Sequence, residues 1–425
     1  MTTDMIPQSR KILRQLLVLA GVLIIMTLMI GRYALVKAEN NTGKQIDQVF
    51  MPIAFGPSSF FMLPIGSGFN TVTDVTHAGD DRLFVAERAG RVQILHPDGR
   101  ITTFLDIRNQ VISNRGEYGF FDISFHPGYQ NPESPGYGFF YVSYTTGFDD
   151  GVTLDVVTHI DRFQVSENPD VTNLASQTRI FKERQGFSVH KGGGMDFDPR
   201  DEMLYVGMGD DRLLLIAQSD RSPKGKIFRL DVNKVPRDIV GDGSSYVSKE
   251  IWALGLRNPW RIDVDPLSET IFVGEVGDQL WEEVNIVPLS VKGFNFGWPC
   301  MEGPVIIPEA NDIPECKNPN NFARAIHEYA HRDGSNRCAI IGGKVNRPVG
   351  NPNDGRYIFA DMCTREVFSL AYDAGGWERT LLGILNDELI STIGEDRYGY
   401  QYIGTTAESG PIYRLYIPPV QRANR

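Results

Sequence analysis

After residue 58 the sequence has almost no apolar helical periodicity, which excludes a helix bundle or an alternating α/β fold as its main architecture. Positive charge is in deficit. The chain has 42 Lys and Arg against 53 Asp and Glu, a net charge of −11, and this balance argues against nucleic-acid binding. A neutral or cationic small ligand is compatible with it. Cysteine is scarce: Cys300, Cys316, Cys338 and Cys363 all fall in the last third, with no CxxC pair, which argues against zinc. There is no HExxH pattern, no nucleophile elbow and no phosphate loop. Glycine (43) and proline (25) are plentiful but follow no period, so collagen is excluded and a turn-rich fold is favoured.

Long apolar runs are also few, and the one present is N-terminal. Arg10, Lys11 and Arg14 precede an apolar run over residues 16–30, which Arg32 ends. A basic start followed by an apolar stretch reads as a secretion signal or a signal anchor. The run is at the short edge of the roughly 17–25 residues that span a bilayer, and Val36-Lys37-Ala38 offers a cleavage site. Either outcome places the remainder outside the cytoplasm, because the positive flank stays inside. The expected organisation is a signal peptide or anchor at 1–38, a linker at 39–58, one large domain at 59–418 and a tail at 419–425. Four cysteines in an oxidising compartment suggest two disulfides. Three pairings are possible. Cys300–Cys316 with Cys338–Cys363 is favoured, because the second pair flanks two strand-like runs, 339–347 and 356–360, that a hairpin would bring together.

Two short elements recur along the domain. One is a β-branched and aromatic strand, beginning near Arg82, Phe139, Met203, Thr270, Arg356 and Tyr400. The other is an alternating strand beginning near Gly90, His159, Gly225, Glu283, Glu366 and Gly410. Six such pairs without helices predict an all-β fold, a six-bladed β-propeller. Their uneven spacing exceeds the usual blade of about 40–50 residues, so long loops must hold the excess. The longest, near 290–340, contains Cys300 and Cys316.

Three stretches are candidates for chemistry. His190-Lys191-Gly192-Gly193-Gly194 sets a histidine where backbone can approach a ligand closely, and neutral imidazole is the usual general base near pH 7. The plain alternative is a turn histidine. In Gly255-Leu256-Arg257-Asn258-Pro259-Trp260, Arg257 can grip a carboxylate or a quinone oxygen and Asn258 can donate and accept. The alternative is an arginine stacked on Trp260. Gly274-Glu275-Val276-Gly277-Asp278 offers oxygens to a hard cation such as calcium, although it is not an EF-hand loop.

These stretches, in order, resemble the glucose/sorbosone dehydrogenase family from about Phe69 to Leu415. The likeness includes Leu83-Phe84-Val85-Ala86-Glu87, Arg115-Gly116-Glu117-Tyr118-Gly119, His190-Lys191-Gly192-Gly193 and Gly207-Met208-Gly209-Asp210. It continues through Leu256-Arg257-Asn258-Pro259-Trp260, Trp281-Glu282-Glu283, Asn295-Phe296-Gly297-Trp298-Pro299 and Gly342-Gly343-Lys344-Val345. The resemblance implies a PQQ- and calcium-dependent enzyme that oxidises an aldose sugar at C1 and passes electrons to an acceptor. By matching position, His190 is the base, Arg257, Asn258, Arg347 and Glu117 contact the cofactor, and Gly277 and Asp278 hold calcium through backbone oxygens. There are departures. Glu117 stands where the family has a glutamine, Val189 where it has an aspartate, Lys191 where it has a small or amide residue, and the blade-six arginine pair is not evident. These losses also occur toward the Hedgehog-interacting-protein-like branch, whose cysteine arrangement the chain shares. They support an alternative, a non-catalytic cell-surface propeller that binds carbohydrate or protein.

Overall fold

The structure is a computed structural model, described for residues 33–39, 45–52, 60–149, 154–234, 247–307, 313–331, 333–386 and 388–419. It divides into two compact units, residues 1–59 and 60–425. In the first, Tyr33–Glu39 and Gln45–Pro52 pair antiparallel, within the stretch read as cleavage site and linker. The apolar run at 16–30 and most of the tail lie outside the described residues. Among the described residues no helix is long and apolar enough to cross a membrane.

The second unit is a six-bladed propeller, as the recurring strands imply. Its four-stranded blades take, in order, Val72–Thr76 to Ile101–Asp106, Phe120–Phe125 to Thr172–Arg184, and Gly192–Asp198 to Ile251–Leu254. Blade four starts at Pro259–Asp265 and ends with His327–Ala330, and blade five runs from Ile340–Ile341 to Gly376–Ile384. Blade six combines Ile390–Glu395, Gln401–Thr405 and Gly410–Tyr416 with Phe61–Phe69 from the start of the unit. That antiparallel pairing closes the ring.

The strongest strands are buried on both faces, because each blade is covered by two others. Leu83–Glu87, Tyr357–Asp361 and Gln401–Thr405 are buried at every position. A strand covered on both sides reads as a continuous apolar run, not an alternating one. The core accordingly lies between blades. Phe84, Phe104 and Phe140 join blades one and two, Tyr141, Phe197 and Phe228 join two and three, and Phe69, Tyr402, Val72 and Val85 join six to one.

The long insertion lies between the third and fourth strands of blade four. It lends Phe294–Asn295 to the edge of blade three and forms a hairpin of Met301–Glu302 with Val305–Ile306. Cys300 and Cys316 are bonded there, inside a small cluster with Met301 and Phe322. Cys338 and Cys363 are bonded across the Ile340–Ile341 and Tyr357–Asp361 pair, where Ile340 faces Asp361. Both bonds follow the favoured pairing.

Candidate functional site

His190 lies in the loop that feeds the inner strand Gly192–Asp198 of blade three. Its φ is +58°, and Gly192 follows at +62°. Left-handed backbone at a non-glycine residue is uncommon and marks a constrained position. His190 Nδ1 is 2.6 Å from Asp210 Oδ1. Asp210 is buried, and its second oxygen accepts a hydrogen bond from Trp298 Nε1 at 2.8 Å. A carboxylate at Nδ1 fixes the tautomer with its proton there and leaves Nε2 to accept. The histidine side chain keeps 11% exposure, so that nitrogen can be reached.

Asp210 was not among the expected site residues. Its signal was the Gly209-Asp210-Asp211 run just past Met203–Met208, where polar residues follow a strand buried from Leu204 onward. Asp211 works beside it as an anchor. It accepts from Gly186 N and Phe187 N at 2.9 Å each, from Lys191 Nζ at 3.0 Å and from Lys224 Nζ at 3.2 Å. The fully buried Lys191 therefore pins the histidine loop from behind. Burial pulls its ammonium below the ordinary range, and Asp211 opposes that pull.

Asn258 links this loop to its neighbours. Its Oδ1 accepts from Gly192 N at 2.9 Å, and its Nδ2 donates to Glu117 Oε1 at 3.3 Å. Glu117 Oε2 accepts from Lys191 N at 2.8 Å. The structure thus brings His190, Asn258 and Glu117 together from blades three, four and two. Arg257 sits over the Trp298 ring at 5.5 Å, not on Trp260, and donates to Val276 O at 3.1 Å and Asp278 Oδ1 at 2.8 Å. Below the pair, Glu275 Oε1 accepts from Arg257 N and Asn258 N at 2.6 and 2.8 Å. Burial pushes the Glu275 carboxyl well above its ordinary value.

Arg347 is not in this group. It pairs with Asp265 at 2.7 Å, at the far end of the strand Pro259–Asp265 from Asn258. Seven residues of extended chain separate the two ends, roughly 20 Å at about 3.3 Å per residue. Matching by sequence position placed it with the cofactor contacts, but blade five runs past the site and delivers Arg347 to the opposite face.

At the head of the central channel lies a cavity of about 210 Å³. Phe120, Phe121, Ile340, Ile341 and Met362 wall it, and Glu117 and Asn258 border it. Thr73, Trp260 and Arg261 also line it, and their Oγ1, Nε1 and Nε atoms are buried with no hydrogen-bond partner among the described residues. Two of the three can only donate. Apolar walls bordered by Arg88, Asn258 and Arg261 fit a flat ligand that carries acceptor oxygens, which is the chemistry of a carboxylated quinone. The charge balance is tighter. Arg88 donates to Gly116 O and Tyr118 O, Arg261 pairs with Asp122 at 2.7 Å, and Glu117 brings negative charge.

The model of the glucose/sorbosone dehydrogenase family matches residues 69–414 of this chain. The HIPL2 protein of Arabidopsis thaliana is 27% identical over 383 residues, covering 74% of this chain and 53% of that protein. The Hedgehog-interacting protein of Homo sapiens is 30% identical over 228 residues, covering 48% and 32%. The chain thus spans about half the length of the plant relative and a third of the human one. The PQQ-bound form of aldose sugar dehydrogenase from Streptomyces coelicolor shares the fold with a TM-score of 0.63 at 18% identity, over 85% of this chain and 99% of that one.

Proposed function

The chain belongs to the glucose/sorbosone dehydrogenase family, and on that premise we propose that its propeller oxidises an aldose sugar at C1, outside the cytoplasm, with PQQ and calcium. The observation that carries this reading is the His190–Asp210 dyad, whose loop is tied through Asn258 and Glu117 to the apolar cavity that both of them line. His190 Nε2 would take the proton of the sugar hydroxyl, and Asp210 would stabilise the imidazolium that results. Asn258, Trp260 and Arg261 would hold the cofactor, and Gly277 and Asp278 would offer backbone oxygens to calcium. PQQ, when bound, supplies the hydride acceptor. A bound cofactor would displace water from between the apolar walls, so each polar contact in the cavity would count for more than it does in solvent.

A second reading keeps the fold and drops the chemistry. Glu117 and the committed arginines favour it, because a ligand with three carboxylates gains least where the cations are already paired. The human relative bears the name of a protein that binds Hedgehog, and here the propeller would be a surface-binding module for carbohydrate or protein.

Titration of the metal-stripped protein with PQQ plus calcium, followed by absorbance, separates the two. Saturable binding, with bleaching of the quinone when aldoses are added, is the expected result. A folded protein that takes up no PQQ at high concentration would transfer the assignment to the binding module.

A further inference from the structure

Four successive backbone amides point at one oxygen. Asp278 N, Gln279 N, Leu280 N and Trp281 N lie 2.8, 2.9, 2.8 and 3.1 Å from Glu302 Oε1. A concavity of successive amides is an anion-binding device. Here the anion is a buried side chain of the same protein. The insertion fixes where it stands. Cys300, two residues before Glu302, is bonded to Cys316. Gly303, one residue after, donates to Glu283 Oε1 at 2.6 Å. A Cβ at Gly303 would come within 2.6 Å of Trp281 Cγ, so hairpin and turn are in close contact.

Peptide geometry gives this contact a consequence. In a trans peptide the carbonyl oxygen and the following amide hydrogen lie on opposite sides of the bond. The amides of Asp278 and Gln279 face Glu302, so the carbonyls of Gly277 and Asp278 face away from it. Two neighbouring carbonyls turned the same way are donors suited to a hard cation. We propose that Glu302 is a positioning residue, which sets the Gly277–Asp278 carbonyls for a divalent cation before the cation arrives.

This inference rests on the calcium reading of the turn. The long insertion then has a task at the site, since it delivers the carboxylate. A charged acceptor matters because hydrogen bonds to an ionised group are about twice as strong as neutral ones. A glutamine carbonyl at the same place would hold the four amides less well.

Two measurements on the full chain test it. The first is hydrogen exchange at residues 278–281 without metal, in wild type, Glu302→Gln and Glu302→Ala. The second is calorimetric titration of the same proteins with calcium. The expected result is at least tenfold faster exchange of the four amides in Glu302→Ala and at least threefold in Glu302→Gln. Exchange in blades one and two should be unchanged. Calcium affinity should fall at least tenfold in Glu302→Ala and by less in Glu302→Gln. Equal exchange in the folded alanine variant, or undiminished calcium affinity, would overturn the proposal. If the alanine variant does not fold, unchanged exchange and affinity in Glu302→Gln would overturn it. Should the wild type take up no calcium, the calcium reading fails by itself, and the exchange measurement still decides whether Glu302 sets the turn.

Discussion

His190 has two ring nitrogens, and the buried Asp210 claims one of them. The pair predicts different losses for different substitutions. If the proposed dehydrogenase chemistry holds, His190→Ala should lower turnover by about 10²- to 10⁴-fold, the usual range for a positioned proton acceptor, while PQQ uptake stays near wild type. Asp210→Asn keeps the shape but can present an amide hydrogen to Nδ1. That favours the tautomer with its proton on Nε2, where no base remains, so turnover should fall with little change in sugar KM. Dye-linked steady-state rates and an absorbance titration of PQQ check both. Loss of PQQ binding in His190→Ala would make the histidine a structural residue. His190, Asn258 and Glu117 were legible in the sequence because short motifs carry them. Asp210 and Glu302 were not, because a carboxylate in a turn or a short hairpin looks like any surface residue until its partner 20 or more positions away is known.

At the scale of single elements, legibility followed burial. The second strands of the blades, such as Met203–Met208 and Thr270–Glu275, are apolar because neighbours cover both faces, and composition alone revealed them. The inner strands face a polar channel, and Gly192–Asp198 begins with three glycines, so they gave no strand signal. The outer strand Gly376–Ile384 is part exposed and mixed in character, and it was missed for the opposite reason. Blade five is the thinnest, since its inner strand has only two residues, Ile340–Ile341. The Cys338–Cys363 bond clamps that pair two positions beyond its last register contact, Ile340 with Asp361. Removing both cysteines as Cys338→Ser with Cys363→Ser should cost about 2–5 kcal/mol, the usual loss for a native disulfide. Chemical denaturation checks this. A midpoint equal to wild type would mean that the hairpin holds without its clamp.

Around the whole ring, every blade sends an ionisable side chain to the channel: Asp74, Asp122, Asp196, Asp263, Lys344 and Glu395, with Arg261 as a second cation. Lys344 Nζ lies 2.8 Å from Asp196 Oδ2 and 3.0 Å from Asp263 Oδ1, which ties blade five to blades three and four. Arg261 ties blade four to Asp122 of blade two and to the Thr73 carbonyl of blade one. Five carboxylates against two cations cannot all ionise cheaply in such a space. Burial, opposed by Lys344, pushes Glu395 from 4.5 up to about 8 and Asp263 from 3.8 up to about 6. Burial also raises Asp74 and Asp122 against the pull of Arg261. An unfolded chain ionises these groups near their ordinary values, so between pH 4 and about 8 unfolding releases protons. Their contribution to stability is complete below the unfolded values and is lost as pH rises through about 6 and then about 8. Glu395 keeps some accessible surface, which screens part of its effect, whereas Asp263 is buried. The propeller should therefore melt at a lower temperature at pH 9 than at pH 6. Glu395→Gln should flatten that slope, and scanning calorimetry from pH 5 to 9 measures it. A wild-type melting temperature that rises with pH over this span would mean that the channel carboxylates are already ionised and held by their two cations.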